Sequence, residues 1–198
     1  FSRTLRIRRI VRQLIKSLNL HISWEYELAG LMSQIGFVIL PQSLLEKLNT
    51  AQPLSEDEQA LYSSFPEVGY RLLADIPRMQ TVAEIVRLQR DDFSPEAKGY
   101  RKNPRVKLGA ELLRIAADYD AMVNNGVTHA AAVQSIISGN GAYNPRLVEA
   151  LGQAEEITGK WLSQTIPARM LEEGMVLAQD VLTGGGEVVG YKTHLISA

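Results

Sequence analysis

The chain has 198 residues, 45% hydrophobic and 22% charged, with a formal net charge of −1. That is enough apolar side chain to bury the core of one moderate domain with a small appendage. The balanced charge excludes a global field that would recruit nucleic acid or an anionic membrane. There is no cysteine, which excludes a disulfide scaffold and thiolate metal sites and is compatible with a reducing cytoplasm.

The first predicted element is an amphipathic helix over residues 2–20, with Leu5, Ile7, Ile10, Val11, Leu14, Ile15 and Leu18 at helical spacing. Its basic outer face, Arg3, Arg6, Arg8, Arg9, Arg12 and Lys16, is read as a solvated face, with an acidic surface or phosphate as the rarer alternative. Because this helical pattern is already under way near Phe1, which is not a Met, a fragment of a longer protein with an upstream domain is expected. His21 falls in a loop, and Ser23 is an N-cap for a helix from Trp24 whose first turn holds Glu25 and Glu27. That helix is predicted to close at Gly36, and the following apolar run is stopped by Pro41.

A short helix over 42–48 and a turn around Pro53 lead to Ser55, which with Glu58 makes a capping box for the next helix. Met79 to Gln89 is a further amphipathic helix, followed by a loop from Asp91 to Asn103. Lys98, Arg101, Lys102, Arg105 and Lys107 make that stretch locally basic. A polar surface loop is the commoner reason for such a cluster, a phosphate contact through Lys98 and Arg101 the rarer one. Leu108 to Met122 is helical, Thr128 caps the next helix, and Tyr143 to Leu151 begins the last. His129, at a helix start without acidic neighbours, and His194, in the tail, read as structural. The tail has Val and Leu flanking Gly184, Gly185 and Gly186, which signals a hairpin. No apolar run nears the roughly 18–20 residues that span a bilayer.

Several of these stretches, in order, resemble the HD-GYP family of metal-dependent phosphodiesterases of cyclic di-GMP. Glu27 to Pro41 (ELAGLMSQIGFVILP) is similar to AxLLHDIGKIGIP, and Phe65 to Tyr70 (FPEVGY) falls on HPEIGY. AEIVRLQRDD, from Ala83 to Asp92, resembles AEIxLxHHERxDGSGYP, and LGAELLRIAADYDAM, from Leu108, resembles LGARILRIADxYDAL. Tyr143 to Leu151 resembles FDPELVEAF, and the tail is similar to a β appendage found beside such domains. The resemblance implies a mainly α, HD-domain-like helical bundle of about seven or more helices over residues 1–165. It also implies a short C-terminal β-hairpin element over 166–198.

At the positions matching the family's metal ligands stand Arg3 (or Phe1 in the alternative register), Ser33, Gln34, Phe65, Gln89, Arg90 and Ala117. None is a His, Asp or Glu, the side chains a hydrolytic metal centre needs. Asp118 is one residue beyond Ala117, about 100° around the helix, and so is expected to point elsewhere. The resemblance therefore implies neither metal nor cofactor and no catalysis. The leading expectation is a signalling module acting through a protein partner or an upstream receiver or sensor domain, with a response regulator as one such setting; a homodimer is compatible with it. The second is a non-hydrolysing receptor for cyclic di-GMP or another nucleotide, using Gln89, Arg90 and the basic loop. The third is a phosphodiesterase with unusual ligands such as Asp91, Asp92, Asp118 and Asp120.

Overall fold

A long helix surrounded by shorter ones organises the protein, as seen in a computed structural model. The structure describes residues 2–21, 23–50, 52–93, 103–139, 142–154, 181–183, 185 and 188–190. Two compact units divide the chain, Phe1–Thr158 and Gly159–Ala198. The first is helical: α1 (Ser2–Ser17), α2 (Trp24–Met32), a 3₁₀ turn (Ile35–Ile39), α3 (Gln42–Asn49), α4 (Glu56–Ala74) and α5 (Gln80–Arg87). It continues with α6 (Pro104–Asn124), α7 (His129–Ile137) and α8 (Pro145–Gln153). No helix among the described residues is long and apolar enough to cross a membrane. In the second unit, β1 (Val181–Leu182) pairs antiparallel with β2 (Val188–Gly190). The rest of the predicted β appendage, His194 and the 165/166 boundary lie outside the described residues.

Helix α6 is central because most of its turns are buried, with the polar Glu111 and Asp120 buried along with the apolar side chains. Val106, Ala110, Leu112, Leu113, Ile115, Ala116 and Tyr119 are all buried, and the helix meets α1, α2, α5, α7 and α8. Full burial of Leu112, Leu113 and Ile115 stabilises the fold by about 1.5–3 kcal/mol each. Small residues bring the neighbours close. A Cβ on Gly30 would lie 3.0 Å from the Arg8 backbone, where α1 crosses α2.

The local signals decide most helix ends. Ser55 caps α4 with a complete capping box to Glu58, and the Thr128 side chain accepts from the Ala131 amide at α7. Helix α6 starts four residues before the predicted Leu108, since Asn103 caps it and Pro104 sits in its first turn.

Two expectations are corrected. Helix α2 ends at Met32, and Gly36 lies inside the 3₁₀ turn instead of ending a helix. The reason is packing: Gly36 presses on α4 so closely that any Cβ would collide with the Phe65 carbonyl. Ser23 holds the N-cap position of α2 without a side-chain cap bond, because its hydroxyl bonds the Glu25 carboxylate instead.

Candidate functional site

The positions singled out by motif spacing converge on one cavity of about 60 Å³ in the helical unit. Helix α1 supplies Arg3, and the turn after α2 supplies Ser33 and Gln34. Helix α4 contributes Phe65, the end of α5 Gln89 and Arg90, and α6 Ala117. Lys98 and Arg101, the other residues considered for phosphate contact, lie outside the described residues.

Several of these side chains are engaged in holding the helices together. The buried Gln89 amide donates to the Ser33 carbonyl at 3.1 Å and to the Val86 carbonyl at 2.8 Å, tying the end of α5 to the end of α2. The Ser33 hydroxyl donates to the Gly30 carbonyl at 2.9 Å. Phe65 belongs to an aromatic cluster, 4.7 Å from Phe37 edge-on and 5.3 Å from Tyr62 between ring centres. This packing puts hydrocarbon where a ligand set would need lone pairs. Tyr62 and Phe65 are three residues apart on α4, a spacing that places both on one helix face and that sequence reasoning overlooked.

Two of the ion-pair groups among the described residues include side chains that line the cavity. Arg6 grips the buried Asp120 with Nε–Oδ1 at 2.6 Å and Nη2–Oδ2 at 3.1 Å, and Arg3 Nε lies 3.5 Å from Oδ2. In the second group, Arg114 reaches Asp92 at 2.7 Å, Asp118 at 3.7 Å and the Arg90 carbonyl at 2.7 Å. The basic face of α1 is thus not simply solvated: Arg3 and Arg6 meet Asp120, while Arg8 and Arg12 meet Glu27. Burial of Asp120 on α6 is what overrides the solvated-face reading. Arg90 differs from the others. Its guanidinium lies 4.9 Å over the Tyr62 ring and donates to the Tyr62 hydroxyl at 3.1 Å, and it forms no ion pair among the described residues.

Asp118 lines the cavity after all, contrary to the expectation from its register. It is nonetheless occupied, accepting from the Tyr143 hydroxyl at 2.8 Å beside Arg114. Burial, with the Asp118 charge beside it, pushes the Tyr143 phenol up to about 12. Arg114, Ala117 and Asp118 stand at i, i+3 and i+4, so a common helix face was readable in advance. The Arg90 backbone contact that fixes Arg114 was not.

A divalent metal, which hydrolases of the resembled family require, does not fit this donor set. Among the described residues no three His, Cys, Asp or Glu side chains group so as to hold a metal ion. Among the described residues the cavity is lined by one carboxylate, already bonded, and by three guanidiniums. His21 is exposed, and His129 is bonded through Nδ1 to the Tyr119 hydroxyl at 2.8 Å. Tyr119 is itself pushed up to about 12 by burial.

A family model described as an HD domain matches residues 1–147. No curated protein matches the chain.

Proposed function

The chain belongs to the HD domain family, and from that premise we propose that it is a catalytically inactive, HD-GYP-like signalling module. It acts through protein–protein contacts as part of a larger bacterial regulator in the cytoplasm, of the response-regulator kind, beside a receiver or sensor domain. One observation carries this reading. The positions that match the family's ligands line a single cavity, and there is no His, Asp or Glu among them. Losing one ligand can be compensated; replacing all of them with Arg, Ser, Gln, Phe and Ala leaves no coordination sphere to rebuild.

The phosphodiesterase reading with unusual ligands is disfavoured by how the candidate carboxylates are spent. Asp92 pairs with Arg114, Asp118 with Tyr143 and Arg114, and Asp120 with Arg3 and Arg6. Burial raises the pKa of Asp91, which weakens it further as an anionic ligand. The receptor reading for cyclic di-GMP retains Arg90, but the Gln89 amide is committed to backbone carbonyls. A cavity of about 60 Å³ holds a few water-sized groups, enough for one phosphate of a dinucleotide and not for its bases.

The decisive experiment is elemental analysis of the purified chain, combined with incubation with cyclic di-GMP and Mn, Fe, Mg or Ni. The expected result is substoichiometric metal and no linear product. Stoichiometric Fe or Mn, or metal-dependent release of linear product, would overturn the reading.

A further inference from the structure

The cavity is not merely a ligand set erased; its charge is reversed. Among the described residues its lining carries the guanidiniums of Arg3, Arg90 and Arg114 and one carboxylate, Asp118. Asp118 accepts from Tyr143 and sits 3.7 Å from Arg114, which also pairs with Asp92 at 2.7 Å, so both carboxylates are directed to Arg114. Asp120 answers Arg3 and Arg6 together. Among the described residues Arg90 makes its side-chain contacts with a neutral aromatic partner, Tyr62, and no ion pair.

The Nε atoms of Arg3 and Arg114 are buried, and among the described residues neither makes a hydrogen bond. Each stands against a carboxylate at ion-pair distance instead, Arg3 Nε 3.5 Å from Asp120 Oδ2 and Arg114 Nε 3.7 Å from Asp118 Oδ2, so neither is fully satisfied within the chain. A guanidinium is weakly hydrated and matches the geometry of an oxyanion, so it is suited to a partly desolvated site of this kind. Two of the three cations are mostly shielded, with Arg3 30% and Arg114 17% exposed. The mutual repulsion of cations around a low-dielectric cavity is relieved by an anion and worsened by a metal ion.

We propose that this cavity is a binding site for a small oxyanion, a phosphate or a carboxylate group, held by Arg90 and Arg3 with Arg114 behind them. The volume of about 60 Å³ suits such a group, and the polar wall disfavours an apolar guest. The proposal goes beyond the signalling reading and does not depend on it. Finding no protein partner would leave the ion site standing, and loss of the ion site would leave the inactive scaffold standing.

The test is a thermal-shift and calorimetric titration of the full chain with inorganic phosphate, sodium acetate and sodium chloride at matched ionic strength. The expected result is a saturable rise in Tm with phosphate, acetate or both, but not with chloride. Which of the two saturates identifies the chemistry. Arg90→Gln, at an exposed position, should weaken binding at least about tenfold, the scale of one charge-assisted contact. Arg90→Lys, which keeps the charge but loses the fork, should fall between. Lys16→Gln removes an exposed charge outside the cavity and should leave the titration unchanged. Equal shifts in chloride, or an unchanged dissociation constant in Arg90→Gln, would overturn the proposal, as would the absence of any saturable shift.

Discussion

Replacing Gly36 with Ala tests the contact that shapes the cavity wall. A Cβ there would collide with the Phe65 carbonyl carbon and oxygen and lie 3.0 Å from the Gly69 amide nitrogen. These are backbone atoms of α4, so no side chain can swing aside; the 3₁₀ turn must lift off the helix. Overpacking of this kind costs roughly 1–3 kcal/mol, and the backbone clash puts Gly36→Ala at or above the upper end. For a unit of this size each kcal/mol lowers Tm by about 2–4 °C, so a fall of about 6–12 °C is expected. Two other glycines serve as internal controls. At Gly109 the Cβ would meet the Ile85 Cδ1 at 2.5 Å and the Tyr26 ring at 3.0 Å. The Ile85 Cγ1, at 2.7 Å in a fully buried side chain, must shift as well, which costs roughly 1–3 kcal/mol; Ala gains about 0.5–1 kcal/mol inside a helix, so Gly109→Ala should destabilise less than Gly36→Ala, where backbone blocks the Cβ. Gly126 has φ +86° and nothing within 4 Å, so Gly126→Ala carries only backbone strain, on the order of 1 kcal/mol. Urea denaturation of the three variants, compared at constant m, gives the ranking. If Gly36→Ala costs less than about 0.5 kcal/mol, or less than Gly126→Ala, the close-approach argument is wrong.

Asp120→Ala leaves Arg6 and Arg3, about 30% exposed, without their buried partner. A loss of roughly 2–3 kcal/mol is expected, below the 3–5 of a fully buried pair, and is measured by denaturant unfolding with Arg6→Ala in a double-mutant cycle. The Glu111 pKa is raised above 4.5, first by burial, while the Asn144 amide at 2.7 Å and Lys107 pull the other way. A raised carboxyl pKa means the folded state holds its proton more tightly. Stability from this group is therefore present at low pH and is lost as pH rises from about 4.5 through the folded value. Glu111→Gln keeps an acceptor for Asn144 and should remove that part of the pH slope and raise Tm at pH 7; an unchanged slope by pH-dependent thermal melts would contradict it. Ser33→His with Gln34→Asp restores two family ligands while Phe65, Gln89, Arg90 and Ala117 remain, so no hydrolysis of cyclic di-GMP is expected; product by chromatography would show the register to be wrong.

How much was legible in advance differs by residue. Ser55 with Glu58, and Thr128, announced their helices because a cap is a bond between neighbours in sequence. Motif spacing also chose residues from α1, α2, α4, α5 and α6 that meet in space, since a resemblance carries tertiary information that periodicity does not. Arg3 and Arg6 were misread because the carboxylate they meet, Asp120, lies 114 residues from Arg6. Gly36 was read as a helix end because a glycine's packing partner cannot be seen from its neighbours. Asp118 was judged by helix angle alone, although a cavity wall is wide enough for two adjacent residues of one helix.

The sequence alone determined the helical pattern, the Ser55 and Thr128 caps and the absence of His, Asp and Glu at the matched positions, because each is a property of residue identity or of short-range spacing. Tertiary structure alone decided which charges neutralise one another and which does not. It paired Arg6 with Asp120 and Arg114 with Asp92, and left Arg90 facing an aromatic ring over the same cavity. Coulomb interactions depend on distance through space, and residues far apart along a chain acquire those distances only when the helices pack.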